Sequence, residues 1–241
     1  MPRIALVHGF LGSPADWADL LAHLAPGIEV DCVPLAELGC ASVDDAAAAL
    51  AQRLEARPVD LLAGYSLGGR IALELAASRP ALAPRLVLLA AGLGIEDDAE
   101  RAARAASDDA LAARLATDGL ARFIDAWYEL PLFADFRRHP SFEATRARRL
   151  AGDGAFWTRC LSGCSAGRTR PRWTSLSELA PRTTLAVGAL DERYAAAAAH
   201  AACIAPALRV ETVPAAGHAL PLEAPERCAR LVEEALARPA A

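Results

Sequence analysis

The sequence contains no lysine, and all 25 of its basic residues are arginines. In so alanine-rich a chain this indicates a compositional bias, so a single arginine is weaker evidence for a selected guanidinium than it would be elsewhere. The 30 acidic residues outnumber the arginines and give a formal net charge of −5. This balance argues against a partner that is bound through a nucleic-acid phosphate backbone.

Long apolar runs are also missing. None reaches the roughly 18 residues that a membrane-spanning helix needs, and the chain enters a strand-like run at once, without a basic and then apolar leader. We therefore expect a cytoplasmic protein, with no membrane insertion and with a monomer favoured. Hydrophobic residues still make up 54% of the 241 residues, which is enough for the core of one large domain.

Paired C-x-x-C motifs, which often mark zinc sites, are absent as well. The six cysteines are scattered, and only Cys160 and Cys164 have a spacing that could place them on one helix face. The lack of a leader disfavours a disulfide framework. We expect reduced, mostly buried thiols and no bound metal.

Apolar runs alternate with helical segments along most of the chain, which predicts an α/β fold with a mostly parallel sheet flanked by helices. The alternation stops between about Leu93 and Leu176, where the sequence is polar, arginine-rich and helical. We expect residues 93–176 to form an inserted helical cap that does not fold independently, over a core of residues 1–92 and 177–241. The six predicted strands are "RIALVHGF", "IEVDCVPL", "VDLLAGYS", "PRLVLLAAG", "TTLAVGALD" and "LRVETVPAAG".

The segment "GYSLG", residues 64–68, fits the pattern G-x-S-x-G between a predicted strand and a predicted helix. This context predicts that Ser66 projects from a sharp turn at a helix N-terminus, where negative charge is favoured. The backbone N–H groups of Leu67 and Phe10 are the expected oxyanion donors. The alternative is a glycine-rich helix start that merely packs tightly.

A serine nucleophile or base needs a histidine and an orienting acid. Of the five histidines, only His218 follows the last predicted strand and comes after a suitable acid. That acid is Asp191, at the end of the fifth predicted strand, with Glu192 as the weaker candidate. The chain order Ser66, Asp191, His218 is that of α/β hydrolases. A structural histidine and a solvated turn aspartate are the alternatives.

Arg70 lies four residues after Ser66 and can share its helix face. A guanidinium removed from water needs an anionic partner. The sequence leaves two candidates open, namely Glu74 one turn further on and an anionic substrate. Arginines in the predicted cap favour the second, because arginine binds carboxylates with two parallel hydrogen bonds, although such arginines more often form a solvated face.

Several segments resemble the α/β-hydrolase-fold synthase family of menaquinone biosynthesis, the 2-succinyl-6-hydroxy-2,4-cyclohexadiene-1-carboxylate synthases. The resemblance spans nearly the whole chain and is most specific in "GYSLGGR" and "WYELPLF". It implies elimination of pyruvate from 2-succinyl-5-enolpyruvyl-6-hydroxy-3-cyclohexene-1-carboxylate without metal or cofactor. The other segments that carry it are "LVHGFLGSPADW", "AERAARAASDD", "RRL" and "GHALPLEAPE".

The resemblance also implies roles for individual residues. Ser66, activated by His218 and Asp191, would act as a base on a ring proton and need not form an acyl-enzyme. The substrate is a small polyanion. Its carboxylates would be bound by arginines, and two aromatic residues would line the pocket. The implied substrate-binding residues are Arg70, Arg104, Arg149 (or Arg148, if the gap is placed differently), Tyr65 and Trp127.

Two other functions remain compatible with these motifs. One is a cofactor-free carboxylesterase or carbon–carbon-bond hydrolase on the same scaffold. The other is a non-catalytic binding protein derived from a hydrolase. Such proteins usually lose a member of the triad, whereas Ser66, Asp191 and His218 are all present here.

Overall fold

A computed structural model describes residues 1–238 of the chain. Six strands form one sheet in the order β2-β1-β3-β4-β5-β6, and every neighbouring pair is parallel. All six were predicted from the apolar runs, and the α/β-hydrolase type of fold is confirmed. The strands are β1 (Arg3–Val7), β2 (Glu29–Val33), β3 (Leu61–Tyr65), β4 (Leu86–Leu89), β5 (Thr183–Gly188) and β6 (Arg209–Val213).

The helices begin where the sequence offers acceptors for free backbone N–H groups. Ser42 caps α2 by accepting the N–H of Asp45 at 3.0 Å, and Asp97 caps α4 by accepting the N–H of Glu100 at 2.8 Å. The helices are α1 (Ala18–His23), α2 (Val43–Ala56), α3 (Leu67–Ser78), α4 (Asp98–Asp118), α5 (Leu120–Tyr128), α6 (Phe142–Leu150), α7 (Gly154–Gly163), α8 (Leu176–Leu179), α9 (Glu192–Ile204), α10 (Leu220–Glu223) and α11 (Pro225–Ala237).

Both faces of the sheet are covered, as β1 illustrates. Ala5 and Val7 belong to the apolar cluster that includes α2 and α3. Ile4 and Leu6 point to the opposite face, into the cluster that includes α1 and α11. Because successive side chains of a strand alternate between faces, a strand buried on both sides must be apolar throughout. No helix within residues 1–238 is long and apolar enough to cross a membrane.

The helices between β4 and β5 pack onto the edge of the sheet where the strands end. Phe123 and Ile124 of α5 are buried in the same apolar cluster as Val7 and Ile71. The inserted segment therefore shares its core with the sheet. That residues 93–176 do not fold alone stays a prediction.

The helical sequence from Ser141 to Leu161 forms two helices in the structure and not one. α6 ends at Leu150 and α7 starts at Gly154. Asp153 accepts the N–H groups of Ala155 and Phe156 at 2.9 and 3.2 Å. Because this side-chain acceptor and the preceding Gly152 favour a new helix start, local capping overrides the helical periodicity.

Candidate active site

Ser66 lies on a strained turn between β3 and α3, at φ 50° and ψ −111°. Non-glycine residues rarely adopt positive φ, and such strain is concentrated at functional sites. The neighbouring glycines allow the turn to pack closely. A Cβ on Gly68 would lie 2.1 Å from the Val7 carbonyl oxygen, and one on Gly64 would lie 2.4 Å from the Gly68 carbonyl oxygen. Close backbone packing thus aims the Ser66 hydroxyl away from the sheet.

The three residues of the predicted triad are in hydrogen-bond contact. Ser66 Oγ lies 3.1 Å from His218 Nε2, and His218 Nδ1 lies 2.8 Å from Asp191 Oδ2. The carboxylate can only accept, so Nδ1 carries a proton and Nε2 is free to take one from the serine. His218 and Asp191 are 3% and 6% exposed, whereas Glu192 is exposed and has no part in this chain of contacts.

Sheet topology explains why these residues meet. The strand order reverses at β1, and ligands of doubly wound sheets bind at such a reversal, outside the carboxyl ends of the strands. The loops after β3, β5 and β6 carry Ser66, Asp191 and His218 to this edge. The loop after β1 adds Phe10, whose ring contacts the ring of Trp127 at 5.2 Å between centroids.

Phe10 and Leu67, whose N–H groups are the predicted oxyanion donors, both line the pocket that contains Ser66. Within residues 1–238, neither backbone N–H donates to another group. N–H groups without an acceptor in such a pocket are available to an oxygen that gains negative charge during a reaction.

The pocket has an empty volume of about 850 Å³, including its mouth. It is enclosed by the triad loops on one side and by the inserted helices on the other. All five predicted substrate-binding residues line it. The lining includes Phe10, Tyr65, Ser66, Arg70, Arg104, Trp127, Tyr128, Phe133, Arg149, Tyr194 and His218.

Arg70 has no carboxylate partner within residues 1–238. Its Nη1 donates to the carbonyl oxygen of Cys164 and to Thr169 Oγ1, both at 2.8 Å, and both acceptors are neutral. Glu74, the structural partner that the sequence left open, instead binds Arg172. Burial lowers the pKa of Arg70, because removal from water without an opposite charge disfavours the charged form. Within residues 1–238 this guanidinium therefore has no carboxylate to balance its charge.

The other two predicted arginines are already paired. Arg104 Nε donates to both oxygens of Asp108 at 3.0 and 2.9 Å, which leaves its two terminal amino groups for the pocket. Arg149 forms two 2.7 Å contacts with Asp16. Arg148 lines a neighbouring cleft instead. Of the two alternatives, Arg149 is thus the one that reaches the pocket, although Asp16 neutralises its charge.

Two residues of this region were missed in the sequence. Tyr194 lines the pocket, and its ring centroid is 4.7 Å from that of His218. Its position three residues after Asp191, in the first turn of α9, was the available signal, because Asp191 Oδ1 also accepts the Tyr194 N–H at 3.3 Å. Asp16 gave no such signal, since its partner Arg149 is distant in the chain.

Replacing Asp16 with Asn should destabilise the protein by about 3 kcal/mol, because it leaves a buried guanidinium without a counter-charge. Asp16 and Arg149 are both nearly inaccessible, at 3% and 4% exposed. The matched control is Asp125→Asn, which breaks the exposed pair with Arg146 and should cost less than about 1 kcal/mol. Urea unfolding measures the free energy of unfolding of both variants. Equal losses in the two variants would contradict the pairing argument.

Glu223 is a second acidic residue near the triad. Its Oε2 accepts the N–H of Gly217 at 3.1 Å, in the loop that carries His218. Burial raises the pKa of Glu223 to about 7, although the hydrogen bonds from the backbone of Gly217 and Ala219 oppose this shift. Glu223 therefore supports the His218 loop, and its contribution to the free energy of unfolding depends on pH.

This pH dependence of stability gives a prediction for Glu223→Gln. A carboxyl group whose pKa is higher in the folded state contributes stability below its unfolded pKa, and this contribution is lost as pH rises through about 7. The wild type should lose about 1 to 2 kcal/mol between pH 5 and pH 8 through this group. The Gln variant keeps an acceptor for Gly217 and should lack that loss. A stability difference between the proteins that is the same at both pH values would contradict the prediction.

Comparison with known proteins agrees with this architecture. Residues 4–231 match the Alpha/beta hydrolase family, so the sheet, the serine turn and the three loops define a protein of that class. A protein of Bacillus subtilis (strain 168), provisionally named a 2-succinyl-6-hydroxy-2,4-cyclohexadiene-1-carboxylate synthase, is 30% identical over 97% of this chain and 89% of its own length. Within the class, the chain belongs to that synthase family.

Further relatives extend the match. The synthase of the same name from Serratia proteamaculans (strain 568) is 28% identical over 99% of this chain and 94% of its own. Among solved structures, MenH from S. aureus superposes with a TM-score of 0.87 at 24% identity, over 98% of this chain and 93% of that one. A thermophilic esterase from Thermogutta terrifontis superposes with a TM-score of 0.76 at 22% identity, over 97% of this chain and 89% of that one. The structural likenesses show the shared fold.

Proposed function

We propose that the protein eliminates pyruvate from 2-succinyl-5-enolpyruvyl-6-hydroxy-3-cyclohexene-1-carboxylate to give 2-succinyl-6-hydroxy-2,4-cyclohexadiene-1-carboxylate. The observation that carries the proposal is the unpaired guanidinium of Arg70 in the same pocket as Ser66. A neutral ester would leave that charge without a partner, at a cost of several kcal/mol. A carboxylate of the substrate supplies the partner. The family's name supports this identity of the substrate.

In the proposed reaction, Ser66 acts as a base on the ring. His218 Nε2 takes the Ser66 hydroxyl proton, and the serine oxygen takes a proton from the ring carbon. The electron pair of that C–H bond forms a C=C bond to the neighbouring ring carbon, the existing ring C=C bond shifts by one position, and the C–O bond to the enolpyruvyl group breaks. Asp191 stabilises the protonated imidazole, which returns its proton to the departing pyruvate enolate. No water is consumed, and every proton is accounted for.

The pocket supports the charges that this path develops. Abstraction of a proton next to a carbonyl group builds negative charge on the carbonyl oxygen, and the N–H groups of Phe10 and Leu67 are the available donors. Arg70 holds one substrate carboxylate, and the terminal amino groups of Arg104 can hold another. Trp127, Tyr65 and neighbouring aromatic side chains cover the ring and exclude water.

The experiment is to incubate purified protein with the succinyl-cyclohexene substrate and to follow pyruvate with a coupled lactate dehydrogenase assay. We expect pyruvate release at one equivalent per substrate and only slow cleavage of p-nitrophenyl acetate. The same triad can also serve ester hydrolysis, so the ester is the informative comparison. Efficient cleavage of the ester with no pyruvate from the cyclohexene would favour the carboxylesterase alternative.

A further inference from the structure

Three of the six cysteines form one buried group, here called the cysteine cluster: Cys40, Cys160 and Cys164. Their Sγ atoms all lie within 4.8 Å of one another. The three side chains are 0%, 1% and 2% exposed. Within residues 1–238, this is the one group of three or more His, Cys, Asp or Glu ligand atoms gathered closely enough to hold a metal ion.

The fold brings the cluster together from distant parts of the chain. Cys160 lies on α7 and Cys164 directly follows that helix. Cys40 lies in the loop after β2, in the left-handed region at φ 48°. Gly163 allows the two segments to touch, because a Cβ there would lie 2.0 Å from the Ala41 carbonyl oxygen. Cys164 Sγ then donates to the Cys40 carbonyl oxygen at 3.3 Å.

We propose that the cysteine cluster binds a soft, thiophilic metal ion through three thiolates. Thiolate ligands select such ions. Sulfur ligands at about 2.3 Å from an ion lie at most about 4 Å apart, so the three Sγ atoms need to approach by only about 1 Å or less. Binding forms three metal–sulfur bonds and releases to solvent the protons that the cluster thiols carry.

Two features separate this cluster from cysteines that merely fill a core. The first is charge, since the Arg70 guanidinium donates to the Cys164 carbonyl oxygen at 2.8 Å, and a neighbouring positive charge favours thiolates. The second is access. Cys160 and Cys164 line the active-site pocket, so an ion can reach them through its mouth.

The test is a Cd²⁺ titration of the reduced full chain, read by thiolate-to-metal charge-transfer absorption and by metal analysis. We expect one tightly bound Cd²⁺ per chain. Cys160→Ala should weaken that binding by more than about 100-fold, because it removes a ligand and not merely a supporting group. Cys228→Ala is the matched control, a buried cysteine outside the cluster, and it should bind Cd²⁺ like the parent.

Wild-type protein provides a readout that does not depend on any variant. A pH-stat should record about two to three protons released per Cd²⁺, one for each cluster thiol that is still protonated before binding. Fewer than about two would overturn the proposal, as would equal binding by the parent and Cys160→Ala. Cadmium binding needs no substrate, so this result stands apart from the proposed elimination, and each can fail without the other.

Discussion

Ser66→Ala is expected to lower kcat for pyruvate release by about 10²- to 10⁴-fold, the contribution typical of a positioned acid–base group. Alanine removes the oxygen that takes the ring proton and leaves His218 and Asp191 in place. Because the proposed role of Ser66 is confined to the chemical step, KM should change little. Steady-state kinetics with the coupled pyruvate assay give both constants.

Two further variants make this result interpretable. Ser78→Ala changes a serine at the other end of α3, where Oγ donates to the Glu74 carbonyl oxygen at 2.8 Å, and should leave kcat unchanged. Ser66→Gly should be as inactive as Ser66→Ala and yet more stable, because glycine relieves the strain at φ 50°. Retention of more than a tenth of wild-type kcat by Ser66→Ala would remove the serine from the mechanism.

Arg70→Met is expected to separate function from stability. Loss of a buried, hydrogen-bonded charge partner costs binding about 2 to 5 kcal/mol, so kcat/KM should fall by about 30- to 5,000-fold. In the ligand-free protein the same change removes a guanidinium that has no carboxylate partner. The free energy of unfolding should therefore stay level or rise.

Arg172→Met is the matched control, because it removes an arginine that also contacts α3, through Glu74, but has a structural role. Arg172 binds Glu74, and Glu74 is buried. Loss of the Arg172 guanidinium leaves Glu74 as an uncompensated carboxylate and should destabilise the protein by about 3 kcal/mol. We expect kcat/KM in the folded protein to change far less than in Arg70→Met. If both variants lost stability alike and Arg70→Met kept its turnover, Arg70 would be structural.

Much of the fold could be predicted because its signals are local. The six strands are continuous apolar runs, and the loops that follow them carry the small and polar residues of the site. The structure places Ser66, Asp191 and His218 in hydrogen-bond contact, in the chain order that suggested a triad. Their catalytic roles stay a prediction until the variants are measured.

The charge pairing could not be predicted, because it depends on contacts between distant segments. Glu74 lies one helical turn from Arg70 but binds Arg172, 98 residues away. Arg149 binds Asp16, 133 residues away. Helical spacing shows which residues can share a face, but it does not reveal which partner arrives from another element.

The cysteine cluster shows the same limit. The spacing of Cys160 and Cys164 suggested one helix face, and nothing in the sequence connected them to Cys40. Only the close approach at Gly163 brings the third thiol into range. A ligand set split between a loop and a helix has no sequence spacing to recognise.

We propose that this site eliminates and does not hydrolyse, and the mass spectrum of the products tests this most directly. Elimination should yield pyruvate and the conjugated cyclohexadiene, whose masses together equal that of the succinyl-cyclohexene substrate. Products that are heavier in total by one water would contradict the account, because they would show that water, and not a ring proton, is the reacting partner at this serine site.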